Sequence, residues 1–163
     1  QTGELLTGYQ NHFQKEWSRE EVERVMKRME FVPHPQEYQS QFKVSYEVPH
    51  PVAYTEVLRE LDIASIKAKT IFTGQKNLDL IPTSAGKGSA LRYLHKQASI
   101  NAKRVVVAGN SGEDLEMFEA PYKCIVVGNA DQELNELEGE HIYHAPSAFA
   151  DGVLEGLLYW KIL

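Results

Sequence analysis

The stretch that decides the fold is an apolar run that ends in a loop of glycines and polar residues: Arg104-Val105-Val106-Val107-Ala108-Gly109-Asn110-Ser111-Gly112-Glu113-Asp114. Residues 104–109 show no alternation of polar and apolar side chains, which is typical of a strand buried on both faces of a parallel sheet. In open parallel sheets, ligands bind beyond the carboxyl ends of the strands. The sequence therefore predicts a buried strand whose following loop, residues 109–114, belongs to a binding site.

Strand and helix signals alternate around this stretch. Upstream, a loop of small residues at 83–88 leads into a helix at 90–96. Downstream, the pattern predicts a short helix through Phe118, strands at 124–128 and 141–144, and helices at 133–137 and 149–160. This alternation indicates a doubly wound α/β arrangement from residue 82 to residue 163.

The first half of the chain has a different pattern, that of an α+β unit over residues 17–81. An irregular segment, residues 1–16, precedes it. Residues 18–21 read as a capping box that opens a helix over about 19–30. Half-buried strands are predicted at 42–48 and 66–72, and a helix that ends near Asp62 lies between them. A further strand at 78–81 could pair with the strand at 66–72 as a hairpin. The sum is a small sheet with helices on one face.

Composition excludes several classes of protein. The 17 basic and 23 acidic residues give a net charge of −6, which argues against a surface for nucleic acid or anionic membrane. The single cysteine, Cys124, excludes an internal disulfide and a cysteine-based zinc site, and it fits a reducing compartment. No apolar run approaches the roughly 20 residues that span a bilayer. We therefore expect a soluble, cytoplasmic protein.

Two loops carry residues that suit a phosphorylated ligand. In 109–114, Glu113 and Asp114 could bind a hard cation, but they could equally complement the dipole of a helix capped by Asn110 or Ser111. In Gly86-Lys87-Gly88, a lysine flanked by glycines at a helix start suits a phosphate oxygen, and an ordinary loop lysine is the alternative. The residues alone leave both choices open.

The blocks around these loops, in this order, resemble the C-terminal part of a haloacid dehalogenase (HAD)-type phosphatase. They read IPTSAGKGSALRYL at 81–94, VVVAGNSGEDLEMF at 105–118, VVGNADQEL at 126–134 and FADGVLEGLLYW at 149–160. Within that superfamily they are similar to the sucrose-phosphatase branch, which also forms a domain of some sucrose-phosphate synthases. QSQFKVSY at 39–46 resembles its cap domain. The implied fold is α/β, with the C-terminal half of a HAD-like Rossmannoid core at 82–163 and a small cap at 17–81.

The resemblance implies a magnesium-dependent phosphoaspartyl mechanism. In this family an aspartate attacks phosphorus, a second aspartate two residues later acts as acid and base, and a lysine steadies the phosphate. Lys87 matches that catalytic lysine. The metal loop of the branch usually reads Gly-Asp-Ser-Gly-Asn-Asp, so Asn110, Glu113 and Asp114 occupy the positions of metal-loop residues. Because Asn110 has an amide where the branch has a carboxylate, we expect weak or absent Mg²⁺ binding.

The cap carries the residues expected to contact the sugar: Gln39, Lys43 and Ser45. Amides and hydroxyls suit the paired hydroxyls of a sugar, although a solvated strand face explains the same pattern. Trp17 and Tyr46 could stack on a sugar ring or pack in the core.

The family's Asp-x-Asp nucleophile is absent from this sequence. Its five aspartates are Asp62, Asp79, Asp114, Asp131 and Asp151, and no two of them are separated by a single residue. One hypothesis is that the sequence is a fragment of a sucrose-phosphatase-like phosphomonoesterase, inactive without a missing N-terminal segment. The other is a degenerate domain that binds a sugar phosphate, or regulates a sucrose-phosphate synthase, without turnover. In both, sucrose phosphate is the expected ligand.

Overall fold

A computed structural model describes residues 7–163 of the chain. The chain divides into two compact units, of which the first ends at Gly86 and the second begins at Lys87. The longest described helix has 13 residues, and no helix in the described part is long and apolar enough to cross a membrane.

The first unit combines three helices with one antiparallel sheet. The helices are α1 (Thr7–Gln14), α2 (Arg19–Arg28) and α3 (Pro51–Ile63), and the strands are β1 (Val32–Pro33), β2 (Val44–Glu47), β3 (Lys69–Thr73) and β4 (Asn77–Ile81). The strand order is β1-β2-β4-β3, so β4 pairs with β2 as well as with its hairpin partner β3. In the pairing of β2 with β4, Ser45 lies opposite Asp79.

Helix α1 lies where the sequence pattern predicted an irregular segment, and that expectation is wrong for residues 7–14. Phe13 is buried, and its ring packs edge-on against Tyr9 at 4.9 Å and Phe42 at 4.7 Å between centroids. A helix of eight residues is too short to be stable alone and depends on such tertiary packing. Residues 1–6 of the predicted segment lie outside the described residues.

The core of the first unit lies between the sheet and helices α2 and α3. Apolar side chains at helical spacing on α2 and α3 cover those of β2 and β4; the buried set comprises Val22, Val25, Met26, Ala53, Val57, Leu61, Val44, Tyr46, Leu78 and Leu80. Ser18 stands at the N-cap of α2, but its side chain makes no capping hydrogen bond, so the predicted capping box does not form. Arg19 instead ties the start of α2 to Glu23 and to the carbonyls of Ser40 and Lys43.

The second unit has a parallel sheet covered on both faces. Its helices are α4 (Lys87–Gln97), α5 (Gln132–Asn135) and α6 (Phe149–Tyr159), and its strands are β5 (Val106–Gly109), β6 (Lys123–Val126) and β7 (Ile142–His144). The order is β5-β6-β7. Cys124 and Val126 face one apolar cluster, whereas Ile125 faces another that includes Leu157 of α6. The predicted parallel strands are confirmed. Burial is extensive only in β6, because β5 is an edge strand of the described sheet and Val107 is its one buried residue.

Candidate active site

The candidate site of the second unit forms where the start of α4 meets the loop that follows β5. That loop turns into a short 3₁₀ helix, Gly112–Met117, which packs against α4. Contact is close because residue 88 is glycine: a Cβ there would lie 2.5 Å from the carbonyl oxygen of Glu116. The glycine beside Lys87 therefore lets α4 approach the loop and brings the lysine to it.

Lys87 and Asp114 form an ion pair at this junction. Lys87 Nζ lies 2.7 Å from Asp114 Oδ1 and 3.6 Å from Glu113 Oε2. Asp114 is 5% exposed, whereas the Lys87 side chain is 51% exposed. The second oxygen, Asp114 Oδ2, accepts hydrogen bonds from the backbone amides of Asn110 at 3.1 Å and Ser111 at 3.4 Å. The buried carboxylate thus fixes both the loop and the lysine.

The electrostatics of the pair keep both groups charged at neutral pH. The hydrogen bond from Lys87 to Asp114 is the main cause that raises the pKa of Lys87, and the opposing effect of burial is smaller. Burial by itself raises the pKa of Asp114, but the Lys87 ammonium and the two amides together outweigh it and lower that pKa below its ordinary value. An ammonium has three N–H donors. Half-exposed Lys87 can therefore hold Asp114 and still donate to an anionic ligand.

Glycine at position 109 is a steric requirement of this arrangement. A Cβ on Gly109 would lie 2.6 Å from Asp114 Cβ and 2.8 Å from its Oδ2. The close approach of backbone and carboxylate explains why the strand ends on a glycine.

Glu133 is a further acidic side chain that the sequence pattern did not single out. Its carboxylate lies against the backbone of Gly112, at the position that a Cβ of residue 112 would need. Glu133 belongs to α5, some twenty residues along the chain, and nothing in its local sequence distinguishes it from an ordinary helix acid.

The residues matched to the metal loop do not form a magnesium site by themselves. Asn110 is exposed, and Glu113 and Asp114 are both engaged with Lys87. Magnesium needs near-octahedral oxygen ligands, usually including one or two carboxylates. Within residues 7–163, no group of three or more His, Cys, Asp or Glu side chains could hold a metal ion. The carboxylate oxygens of this loop suit an ion pair with Lys87 better than they suit a metal ion.

The three predicted sugar contacts of the first unit cluster around β2. Ser45 Oγ donates to Asp79 Oδ1, and Lys43 Nζ lies 3.2 Å from Asp79 Oδ2. The Gln39 amide donates to the carbonyls of His34 and Ser45 and accepts from the Ser45 amide, each at 2.9 Å.

Two of these three side chains are therefore used inside the unit. Ser45 is 1% exposed, and both ends of the Gln39 amide are bonded to backbone. Lys43 and Asp79, with side chains about one third exposed (34% and 33%), are the polar groups that a ligand can reach. Asp79 was not predicted as a contact, because its carboxylate reaches β2 only through the β2–β4 pairing.

Fold and site together define an α/β domain of the HAD type, in which a lysine at a helix start meets an acidic loop beyond a parallel strand. The comparisons with known proteins support this class and narrow it. The chain belongs to the sucrose-6F-phosphate phosphohydrolase family, whose model matches residues 1–161. The resemblance stated from the sequence is confirmed.

Relatives and a solved structure agree with this assignment. The chain is 33% identical over 165 residues to mannosylfructose-phosphate phosphatase of Agrobacterium fabrum (strain C58 / ATCC 33970), covering 98% of this chain and 66% of that one. It is 33% identical over 134 residues to probable sucrose-phosphatase 2 of Arabidopsis thaliana, covering 74% and 32%. The X-ray structure of the sucrose-phosphatase from Synechocystis sp. PCC6803, in complex with sucrose and phosphate, matches with a TM-score of 0.85 at 25% identity and covers 98% and 69%. The chain thus spans less than two thirds of the length of either curated relative.

Proposed function

We propose that these 163 residues supply the sugar-binding cap and the C-terminal part of the core of a sugar-phosphate phosphomonoesterase, and that they are inactive by themselves. Sucrose phosphate is the substrate we favour. The observation that carries the proposal is the Lys87–Asp114 pair, at 2.7 Å. It presents a fixed, half-exposed ammonium beyond the carboxyl end of a parallel strand, where α/β folds bind their ligands.

Lys87 has an electrostatic part in this proposal. Phosphoryl transfer needs positive charge beside the phosphate oxygens, and a preorganised ammonium supplies it without reorganisation. Asp114 orients the ammonium and keeps it charged, so it is a positioning residue.

The nucleophile has to come from polypeptide outside these residues. No Asp-x-Asp pair occurs among the five aspartates. Asp114 is buried and ion-paired, and Asp79 is held between Lys43 and Ser45. Neither carboxylate is free to attack phosphorus, and none of the other three aspartates has the second aspartate that a phosphoaspartyl mechanism uses as acid and base. We therefore infer that the nucleophile lies outside these residues.

The open edge of β5 also supports a nucleophile that is supplied by polypeptide outside these residues. Residues 105–108 are Val-Val-Val-Ala, the composition of an interior strand, yet β5 is an edge strand of the described sheet. An edge strand presents unpaired N–H and C=O groups that can accept another strand. We infer that a strand carrying the nucleophile pairs there. Magnesium enters the proposal only with the carboxylates that such a segment would add.

A chimera tests the catalytic part. The N-terminal segment of the Synechocystis sucrose-phosphatase, fused ahead of Gln1, should yield steady phosphate release from sucrose phosphate, whereas the 163-residue chain should yield none. A matched chimera with both Asp-x-Asp aspartates changed to asparagine should be inactive. Lys87→Ala should lower the chimera's kcat by roughly 10²–10³, the range for removal of one preorganised donor. Turnover by the unfused chain would refute the proposal.

Binding to the unfused chain gives an independent measurement. In calorimetry, Lys87→Ala should weaken the binding of sucrose phosphate by about 1.5–3 kcal/mol, because it removes a charge-assisted hydrogen bond. Equal affinities would remove Lys87 from the phosphate site, and a large loss of thermal stability would mark it as a structural lysine.

A second function, a non-catalytic sugar-phosphate-binding or regulatory domain attached to a sucrose-phosphate synthase, is favoured by one observation. Loop 109–114 carries Asn110 and Glu113 where the branch has aspartate and asparagine. If a folded chimera binds sucrose phosphate but releases no phosphate, this second function is the correct one.

A further inference from the structure

The second unit contains an apolar groove at the carboxyl ends of β5 and β6, against the start of α6. We call it the β5 groove; its volume is about 330 Å³, and its apolar lining is Ala108, Val127, Phe149 and Val153. Among the described residues, no charged side chain lines it. Because an ion loses its hydration in such surroundings without gaining a partner, the groove suits an apolar side chain better than a phosphate.

The β5 groove continues the face of the sheet that α6 covers. Val106 and Ala108 of β5 belong to the apolar cluster of that face, whereas Val107 belongs to the cluster of the opposite face. Neighbouring strands lie about 4.8 Å apart, and their side chains alternate between the two faces in step. A strand that pairs with the free edge of β5 therefore places one side chain beside Ala108 on the α6 face, which is the position of the groove.

Phe149 has two features that single out this groove as a contact surface. Its side chain is 73% exposed, and its backbone φ is 53°, in the left-handed region that glycine adopts freely and a bulky residue adopts at a cost. The Phe149 amide donates to Asn129 Oδ1 at 2.8 Å, which holds this conformation. Strained backbone of this kind is a feature of functional surfaces.

The position of Phe149 in its helix sets it apart from the other strained residues. It is the first residue of α6. The other non-glycine residues with positive φ in the described part of the chain lie just after a helix or in the β3–β4 turn, where such backbone is ordinary; they are Glu30, Ser65, Gln75, Ser99 and Lys161. Turn geometry therefore accounts for those residues but not for Phe149.

The free edge of β5 and the length of the relatives indicate what fills the groove. β5 is an edge strand of the described sheet, although its apolar composition is that of an interior strand. The chain covers 69% of the Synechocystis sucrose-phosphatase structure, so that relative has enough further polypeptide for a strand and its flanks. Edge and groove share Ala108 and Gly109. One polypeptide segment can therefore occupy both.

We propose that the β5 groove and the Phe149 ring form the docking surface for the nucleophile-carrying segment of the proposed function, on which this inference rests. The segment pairs its strand with β5, places an apolar side chain in the groove and buries the Phe149 ring. Main-chain hydrogen bonds supply affinity in strand addition, whereas pockets for alternate side chains supply specificity. The groove therefore selects the segment and fixes its register.

A cleavable chimera measures docking apart from catalysis. It carries the N-terminal segment of the Synechocystis sucrose-phosphatase with both Asp-x-Asp aspartates changed to asparagine, a fluorescent label on that segment, and a protease site ahead of Gln1. After cleavage, the anisotropy of the label on dilution gives the Kd of the segment for the 163-residue chain. The parent should retain the segment in a saturable complex.

Two variants of Phe149 test the surface. Phe149→Gly should weaken binding of the segment about 10- to 100-fold, because it removes a phenyl ring that docking buries. In the unfused chain the same change should alter the melting temperature little, since relief of the left-handed strain offsets the greater freedom of glycine in the unfolded state. Phe149→Ala, which keeps a Cβ, should weaken binding to a similar extent.

Leu158→Ala is the matched control on the same helix. Leu158 is 55% exposed and does not line the β5 groove, so its loss should leave the Kd of the segment unchanged. Equal Kd values for Phe149→Gly and Leu158→Ala would overturn the inference, and so would a cleaved parent that releases the segment as readily as Phe149→Gly.

The outcomes for docking and for the proposed function are separate. If the parent retains the segment and Phe149→Gly loses it, the docking surface stands, and a lack of phosphate release by the chimera with intact aspartates then refutes only the catalytic part. If the chimera with intact aspartates turns over sucrose phosphate but Phe149→Gly binds the segment as tightly as the parent, the docking surface is wrong and the proposed function stands.

Discussion

Replacing Asp114 by asparagine tests whether the buried carboxylate organises the candidate active site. The side chain keeps its shape, but one of its two ends becomes an NH₂ donor. In the parent, Oδ1 faces Lys87 Nζ at 2.7 Å and Oδ2 faces the amides of Asn110 and Ser111 at 3.1 and 3.4 Å. Because every partner is itself a donor, either orientation of the new amide leaves donors facing each other.

The expected loss of unfolding free energy is about 1.5–3 kcal/mol, the range for hydrogen bonds to charged groups. The lower part of this range is the better estimate, because Lys87 is half exposed and solvent screens its share of the interaction. Glu113→Gln is the matched control, since it also removes one negative charge from the loop. Glu113 lies 3.6 Å from Lys87 with a side chain 35% exposed, so its loss should be below about 1 kcal/mol.

Urea unfolding at pH 7 measures both variants. The chain has two tryptophans, and Trp160 belongs to the second unit, where its Nε1 donates to the carbonyl of Cys124 at 3.3 Å. In a Trp17→Phe background, Trp160 fluorescence therefore reports the unit that contains Asp114. Equal losses for Asp114→Asn and Glu113→Gln would refute the reasoning, because they would show that charge alone matters.

The pH dependence follows from the directions of the two pKa shifts. The pKa of Asp114 is lowered on folding. Its contribution to the unfolding free energy is therefore present above the ordinary aspartate range and is lost as pH falls through the folded pKa. The pKa of Lys87 is raised, so its contribution is present below the ordinary lysine value and is lost as pH rises through the folded pKa. The parent should therefore exceed Asp114→Asn in stability most between roughly pH 4 and pH 10, and the gap should shrink in acid. A stability difference between the parent chain and Asp114→Asn that stays constant to low pH would show that the ionised Asp114 carboxylate is not its source.

Three further predictions concern other positions. Gly156→Ala should destabilise by about 1–3 kcal/mol in the same urea assay, since a Cβ would lie 2.5 Å from Ile125; a gain, as expected for an unhindered helix glycine, would contradict this packing. Burial raises the pKa of Cys124 to about 12, so a thiol reagent at pH 8 should label the unfolded chain and spare the native one. Asn110→Asp should raise the Mg²⁺ affinity modestly in the 163-residue chain and substantially in the chimera, as measured by calorimetry. Micromolar Mg²⁺ binding by the parent chain alone would contradict the conclusion that loop 109–114 forms no magnesium site by itself.

Local patterns were sufficient to predict the parts of the fold that depend on which residues must be buried. The uninterrupted apolar runs predicted strands β5 and β6, because only a strand covered on both faces lacks alternation. Helical spacing of Val22, Val25 and Met26 predicted α2. The same reading placed a lysine and an acidic loop at Lys87 and residues 109–114, since glycines and polar residues after a buried strand indicate a site.

Only the tertiary structure determines which residues that are distant in sequence contact each other. Helix α1 forms because Phe13 meets Phe42, and no local signal marks that contact. Lys87 and Asp114 pair across 27 positions because Gly88 and Gly109 allow close approach. Gln39 and Ser45 have the side chains of sugar contacts, but the β2–β4 pairing and the adjoining loop use their hydrogen bonds internally. Residue type determines which bonds a side chain can make, whereas burial and proximity, which only the folded chain establishes, determine which bonds remain for a ligand.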